Sequence, residues 1–455
     1  MKKILFYTII IAIFLISNVS SAFAGQGNNQ IGINVLLNTD ITDPILASLG
    51  NYGRINDLVY EIDALTMKIP ERNLVTIKAL PYVAAANPDV ERTGAPIDTV
   101  SVSNFTGGVS TWDLDAINIT DFGTTDRQVA FDGAGVYVAV LDTGLLDSWR
   151  QYFPQERIAV EYAKSFSGGG GEQGNVSEQP NKWEHDQNSH GTHVTSTILG
   201  YQMLPRQING VAPMATVIPV KVLNQNGSGW SSAVAQGITY VADLKDGPLA
   251  DYPVVINMSL GGPSLDAMEK AAIDYAVAEG VIVVASAGNE GSAGMGYPGA
   301  YAPVISVAAS GWVGEWTAAS WWRTLDVPDP TNALDFYITD FSSRQLSGQD
   351  LDVAAPGSWV VGPYQVNSGQ ISYYYLGGTS MSSPHVAGIV ALMVQKNPAL
   401  TAAQAEAILT STALPLPPGC RNVNDGSGNI VEFCWEADAT GAGLATADAA
   451  LAATP

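Results

Sequence analysis

The sequence predicts an α/β protein: a mostly parallel sheet flanked by helices on both faces, preceded by a small α+β unit. Three observations carry this reading. Val- and Ile-rich runs at 136–142, 217–223, 254–259, 281–286 and 304–308 have the near-continuous apolar character of strands buried on both sides. Stretches with helical spacing, 231–244 and 265–278, lie between those runs, and strand–helix alternation builds parallel sheets. Upstream, 63–70 alternates like a strand, 71–80 takes helical spacing through Leu74, Ile77 and Lys78, and 81–83 returns to extended chain.

A chain of 455 residues can hold a large core or two to three domains. Charged residues make up 14%, against a typical roughly 25%, and 46% are hydrophobic, which marks a globular, loop-rich chain rather than a disordered one. Net charge is -23, of which residues 1–105 hold -2 and the remainder -21. Such a surface repels phosphate backbones and anionic lipid, which argues against nucleic-acid and membrane-surface partners.

Taken in order, the chain opens like a secretory signal. Lys2 and Lys3 precede an apolar run from Ile4 to Ile16, and Ala22-Phe23-Ala24 fits a small-residue cleavage site, which places the cut after Ala24. No later stretch is long and apolar enough to span a bilayer. Residues 26–92 form the small α+β unit, and the polar, Gly-containing stretch 98–108 suits an exposed linker. The boundaries are therefore 1–24, 25–105 and 106–455.

Two insert-like loops stand out in the large unit. One, 167–183, carries four consecutive glycines and is expected to be flexible. The other, 311–340, contains Trp312, Trp316, Trp321 and Trp322 and is expected to pack on the body rather than form an exosite. Thr401 with Gln404 three residues on reads as a capping box opening a helix over 401–410. Cys420 and Cys434, close in sequence in an exported chain, are expected to form one disulfide.

The stretch Gly377-Gly378-Thr379-Ser380-Met381-Ser382-Ser383-Pro384-His385 places a small hydroxyl residue where a helix begins. The apolar run Val386 to Val394 behind it reads as a buried helix, which fixes Ser380 in space and offers unpaired backbone donors to an anion beside it. A serine there is by itself a plain helix cap. Two further stretches displace that reading. Val138-Ala139-Val140-Leu141-Asp142-Thr143-Gly144 is a strand ending in a carboxylate, and Asn188-Ser189-His190-Gly191-Thr192-His193 supplies imidazoles. Asp, His and Ser in this order and these settings resemble the subtilisin-like (subtilase) serine proteases, from about Trp112 to the C-terminus.

The resemblance implies a peptide hydrolase using Asp142, His190 and Ser380. Ser380 is the nucleophile, His190 takes its proton and passes it to the leaving amine, and Asp142 holds the imidazole. Acid that protonates His190 should therefore lower activity. Among the other histidines, His193 is expected to be structural and His385 to point away. A zinc site from His185, His190, His193 and Asp186 lacks a His-Glu-x-x-His pattern and would leave Ser380 without a role.

Asn289, just after a buried strand, resembles the oxyanion-hole asparagine. Ser259, Leu260 and Gly261 resemble the segment that pairs with substrate backbone; Ala287, Gly288 and Gly296 would line the pocket before the scissile bond. Glu290 at its rim adds a feature suited to Lys or Arg, beside walls small enough for a large apolar side chain. Residues 25–105 resemble the family's inhibitor-type propeptide, which assists folding and fills the cleft until removed.

The chemistry requires no cofactor. Calcium is common in the family, but Tyr201 to Gln207 lacks the Asn-rich ligands of a tight site, and Arg206 is a poor neighbour for a cation. A weaker site near Gly299 and Tyr301 is implied by resemblance alone. The expected partners are protein or peptide substrates and the chain's own propeptide, with the enzyme a secreted monomer. Two alternatives differ: a narrow processing protease, and an inactive binding homologue, against which the filled triad positions argue.

Overall fold

Residues 30–88 close on themselves through one antiparallel sheet. The computed structural model describes residues 29–93, 98–101, 110–122, 127–166, 173–203, 206–365 and 371–455. The N-terminal unit holds β1 (Gln30–Leu37), α1 (Asp43–Gly50), β2 (Arg54–Val59), β3 (Ala64–Pro70), α2 (Leu74–Lys78) and β4 (Val83–Pro88), with strand order β2-β3-β1-β4. Alternate residues of β1 and β3 (Ile33, Val35, Leu65, Met67, Ile69) meet Leu49 and Ile77 from the helices in a small core of their own. The signal-like segment 1–24 lies outside the described residues.

Next come β5 (Glu91–Thr93), β6 (Asp98–Ser101), α3 (Trp112–Asp115), β7 (Tyr137–Asp142), β8 (Lys164–Ser165) and α4 (His190–Leu199). A hairpin follows, β9 (Gly200–Met203) with β10 (Arg206–Asn209), then β11 (Thr216–Lys221), β12 (Ser228–Trp230) and α5 (Ser231–Asp246). The chain continues through β13 (Val254–Met258), α6 (Ala267–Ala278), β14 (Ile282–Ser286), β15 (Ile305–Trp312), α7 (Trp321–Thr324), β16 (Phe336–Ile338) and β17 (Val353–Pro356). It ends with β18 (Val360–Pro363), β19 (Tyr373–Gly377), α8 (Thr379–Lys396), α9 (Ala402–Thr412), β20 (Gly419–Asn424), β21 (Ile430–Trp435) and α10 (Ala447–Ala453).

The central sheet runs β16-β15-β14-β13-β7-β11-β8, with β17 also on β15. All its pairings are parallel except β15 with β16. Side chains alternate between two cores, as the pleat requires. Val138 and Val140 face the layer of α4, α8 and α10, while Ala139 and Leu141 face α5 and α6. Helices thus cover both faces, as the Val/Ile runs predict.

Helix α8 lies deepest. Every residue from Thr379 to Val394 is buried. It packs on β13, β14, β15 and β17 and on α4. A Cβ on Gly388 would come within 2.5 Å of the Val211 Cβ, so glycine is what lets α8 settle this close. Burial at roughly 1.5–3 kcal/mol per large apolar side chain holds the helix rigid, and with it the residue at its first turn.

One expectation needs correction. The stretch 98–101 is a strand, pairing antiparallel with β19, rather than open linker; 102–108 lies outside the described residues. Residues 200–203 and 206–209 pair as two antiparallel strands. The Gly-rich segment 168–171 also lies outside the described residues, but Gln173 and Gly174 just after it brace the N-terminal unit. Gln173 Nε2 donates to the Asp89 carbonyl at 2.8 Å and Gly174 N to its carboxylate at 2.9 Å.

The tryptophan-rich insert packs on the body. Trp321 and Trp322 are buried, and Trp321 stacks on Tyr375 with ring centroids 5.9 Å apart. Cys420 and Cys434 form a disulfide across β20 and β21, directly opposite each other in register.

Candidate active site

Asp142 is the last residue of β7, where the parallel sheet fixes its direction. It is fully buried and accepts a hydrogen bond from Thr143 N at 2.6 Å. His190 opens α4, also fully buried, with Nδ1 2.9 Å from both Asp142 carboxylate oxygens. That contact makes Nδ1 the protonated nitrogen and leaves Nε2 as the acceptor. Nε2 is buried without a hydrogen-bond partner, facing no protein donor.

A brace beneath this pair was not foreseen as one. Ser189 adopts a left-handed backbone (φ 82°) immediately before His190. Asp186 holds that turn: its carboxylate accepts from Asn188 N and Ser189 N, both at 2.8 Å, and from Thr143 Oγ1 at 2.8 Å. Thr143 Oγ1 in turn accepts from Gly191 N at 2.9 Å. Burial raises the Asp186 carboxyl to about 6, against the pull of Lys221 and the amide donors. Lys221 is itself lowered by burial, with Asp186 and Asp142 opposing, and its Nζ donates to the Thr143 and Leu223 carbonyls. Asp186, four residues before His190, was the sequence signal; its role depends on contacts 43 residues away in the chain.

Ser380 is the second residue of α8, after Gly378, whose φ of 154° turns the chain out of β19. Its Oγ donates to the Ser259 carbonyl at 3.2 Å rather than to His190. Ser259 Oγ completes a clasp, donating to the Ser380 carbonyl at 2.8 Å and lying 2.8 Å from Ser383 Oγ. The structure therefore joins Asp142 to His190 directly and holds Ser380 through Ser259.

Asn289 follows β14 and is half-buried beside the α8 N-terminus. Its Oδ1 accepts from Thr379 N at 2.9 Å and from Thr379 Oγ1 at 3.0 Å. Those donors fix the amide orientation, so Nδ2 is the atom turned to donate. Of the remaining histidines, His193 sits a turn along α4 with Nε2 3.2 Å from the Val360 carbonyl, and burial lowers it to about 3. His385 reaches Asp113 (3.1 Å) and the Met381 carbonyl (2.8 Å), away from the pair. His185 is exposed.

A cavity of about 150 Å³ adjoins Ser380, lined by Thr93, Leu260, Gly261, Ser286, Gly288, Asn289, Glu290 and Gly296. Five of the seven residues expected to bind substrate stand there. Ser259 does not, because its side chain turns in to the clasp, and neither does Ala287, whose carbonyl instead accepts from Gly296 N at 2.8 Å. Gly288, at φ 106°, has no room for a Cβ, which would meet a Glu290 carboxylate oxygen at 2.5 Å.

The N-terminal unit runs into this cleft as an added strand. Thr93 and Gly261 exchange both backbone hydrogen bonds at 2.9 Å, and β5 pairs antiparallel with β12 on its other side. Asp89, just upstream, accepts from Ser232 N at 3.0 Å and Ser232 Oγ at 2.6 Å, supplying a carboxylate to the N-terminus of α5. Beyond the cleft, β6 lies along β19, which leads into Ser380.

The sequence model of the subtilase family matches residues 133–441. The chain belongs to the subtilase family. It is thus a subtilisin-like peptide hydrolase. It is 36% identical over 290 residues to Subtilisin DY of Bacillus licheniformis, covering 63% of this chain and 86% of that one. To M-protease of Shouchella clausii it is 34% identical over 62% of this chain, and the match spans 60% of that protein's length. Fervidolysin from Fervidobacterium pennivorans, described as a keratinolytic enzyme related to subtilisin, shares the fold with a TM-score of 0.67 at 24% identity. That likeness covers 95% of this chain and 62% of fervidolysin.

Calcium sites are common in subtilases. In this one, residues 200–209 include no Asp or Glu, and the Tyr301 carbonyl accepts from Val304 N at 2.8 Å. The close acidic groups among the described residues are Asp115 with Asp121 and Asp326, and Asp350 with Asp352 and Glu406. Burial raises both Asp115 and Asp352 to about 7. No helix among the described residues is long and apolar enough to cross a membrane.

Proposed function

We propose that this subtilase is a secreted serine endopeptidase, made as a zymogen, in which Asp142, His190 and Ser380 form the catalytic triad. The Asp142–His190 contact carries the reading: a buried imidazole held at Nδ1, with Nε2 unpartnered, is a base awaiting a proton. Rotation of the Ser380 hydroxyl from the Ser259 carbonyl toward Nε2 would supply that proton as Oγ attacks a peptide carbonyl. The Ser380 N–H and Asn289 Nδ2 would then stabilise the oxyanion, and the imidazolium would protonate the leaving amine.

The N-terminal unit acts as a removable inhibitor. Its last strand takes the place that substrate backbone would take against Gly261 and Gly229. Thr93 lines the cavity beside Ser380 and β6 begins at Asp98, so self-cleavage is expected after Thr93 and upstream of β6. N-terminal sequencing of secreted wild type beside Ser380→Ala tests this. The wild type should begin within 94–98 and hydrolyse casein; the variant should retain the N-terminal unit and be inactive. A variant that matures alone and cleaves casein contradicts the assignment.

A further inference from the structure

Arg92 is the residue between the two anchors of the added strand, and its side chain is fully buried in the enzyme body. Its Nε lies 3.0 and 3.1 Å from the two Glu269 carboxylate oxygens, and Nη2 binds Glu269 Oε2 as well. Nη2 also donates to the Ser264 carbonyl at 3.0 Å, and Nη1 to the Glu91 carbonyl at 3.3 Å. Glu269 has no exposure either and stands in the first turn of α6, where the helix terminus favours an anion. Asp266 caps that helix, accepting from Met268 N at 2.8 Å and Glu269 N at 3.2 Å. Burial works against the guanidinium, but Glu269, then Asp266 and Asp89, more than offset it. Gly262 makes the entrance, since a Cβ there would meet the Glu91 carbonyl oxygen at 2.5 Å and Arg92 Nη1 at 2.6 Å.

We infer that the pocket floored by Glu269 is a substrate subsite selecting arginine at the position paired with Gly229, and that Arg92 occupies it as a surrogate. The inference rests on the reading of the N-terminal unit as a cleft-filling inhibitor. Once that unit leaves, Glu269 faces the cleft with its partner removed. An apolar substrate side chain would then bury a carboxylate without a donor, which is costly, while arginine restores the paired fork. Lysine offers a point charge without the fork and fits less well.

The test uses enzyme matured from the full chain and a fluorogenic peptide library varied one position at a time. One position upstream of the cut should show kcat/KM about 10²-fold higher for Arg than for Leu, with Lys between. Glu269→Gln should reduce that ratio to under about tenfold. Because Glu269→Leu alone would bury an unpaired Arg92 in the zymogen, the pair Arg92→Leu with Glu269→Leu is used, and its matured form should prefer Leu. Wild type that cleaves peptides with less than about a threefold Arg-to-Leu difference at every position overturns the inference and spares the protease reading. So does an Arg preference that survives in the double variant. Wild type that cleaves no peptide overturns both.

Discussion

Asp142 presents both carboxylate oxygens to His190 Nδ1 at 2.9 Å, in a setting where neither side chain touches solvent. The carboxylate therefore fixes the tautomer that leaves Nε2 free to accept. Asp142→Asn keeps the shape but can present an N–H, which favours the wrong tautomer. The expected outcome is a fall in kcat of about 10⁴-fold with KM little changed, read from steady-state peptide hydrolysis. An unaltered kcat would remove His190 from the role of base.

Asn289 has two jobs on two atoms. Oδ1 holds Thr379 at the start of α8, and in the proposed mechanism Nδ2 is the oxyanion donor. Asn289→Asp retains the acceptor and loses the donor. It should cut kcat about 10²–10³-fold while the melting temperature holds. Asn289→Ala should lower both, because Thr379 then loses its acceptor as well. Equal melting temperatures for the two variants would contradict this division.

Glu315 is fully buried and accepts from Trp312 N (2.9 Å), Tyr337 Oη (3.0 Å) and Ser358 Oγ (2.9 Å). Burial outweighs those donors and raises it from 4.5 to about 8. The folded state thus keeps a proton that the unfolded chain releases above about 4.5. This group's stabilisation is complete below that pH and is lost as pH rises to about 8. Melting curves of wild type and Glu315→Gln should separate over that window, with the variant gaining relative stability toward pH 8. Parallel curves would show that the carboxylate is ionised throughout.

The Cys420–Cys434 bridge closes a short loop between exposed strands. In the chain-entropy model its loss costs on the order of 3 kcal/mol. Replacing both cysteines by serine should lower the melting temperature while kcat/KM stays at the wild-type value. A loss of activity at unchanged stability would instead tie the hairpin to the cleft.

The parallel sheet and both helix layers were legible because each is written locally, whereas the Asp142–His190 contact, 48 residues apart in the chain, was expected only from the resemblance. Val/Ile runs mark buried strands, and the capping box at Thr401 and Gln404 forms with both of its hydrogen bonds. What was not legible depends on partners far along the chain. Strand β6 exists because β19 offers an edge more than 270 residues away. Ser259, expected only to pair with substrate backbone, also clasps Ser380 and Ser383 through its side chain, a contact more than 120 residues away in the chain. Arg92 lay in the expected propeptide and Glu269 in an expected helix, with nothing local to join them. Asp186 carried the same difficulty: its carboxylate meets Thr143 and, at longer range, Lys221 only once β7, α4 and β11 are assembled.

The central claim is tested most directly by treating the matured enzyme with a serine-directed fluorophosphonate and mapping the adduct by peptide mass. Wild type should carry a single adduct on Ser380, and His190→Ala should carry almost none. An adduct on another residue, or undiminished labelling of Ser380 without His190, would contradict the account.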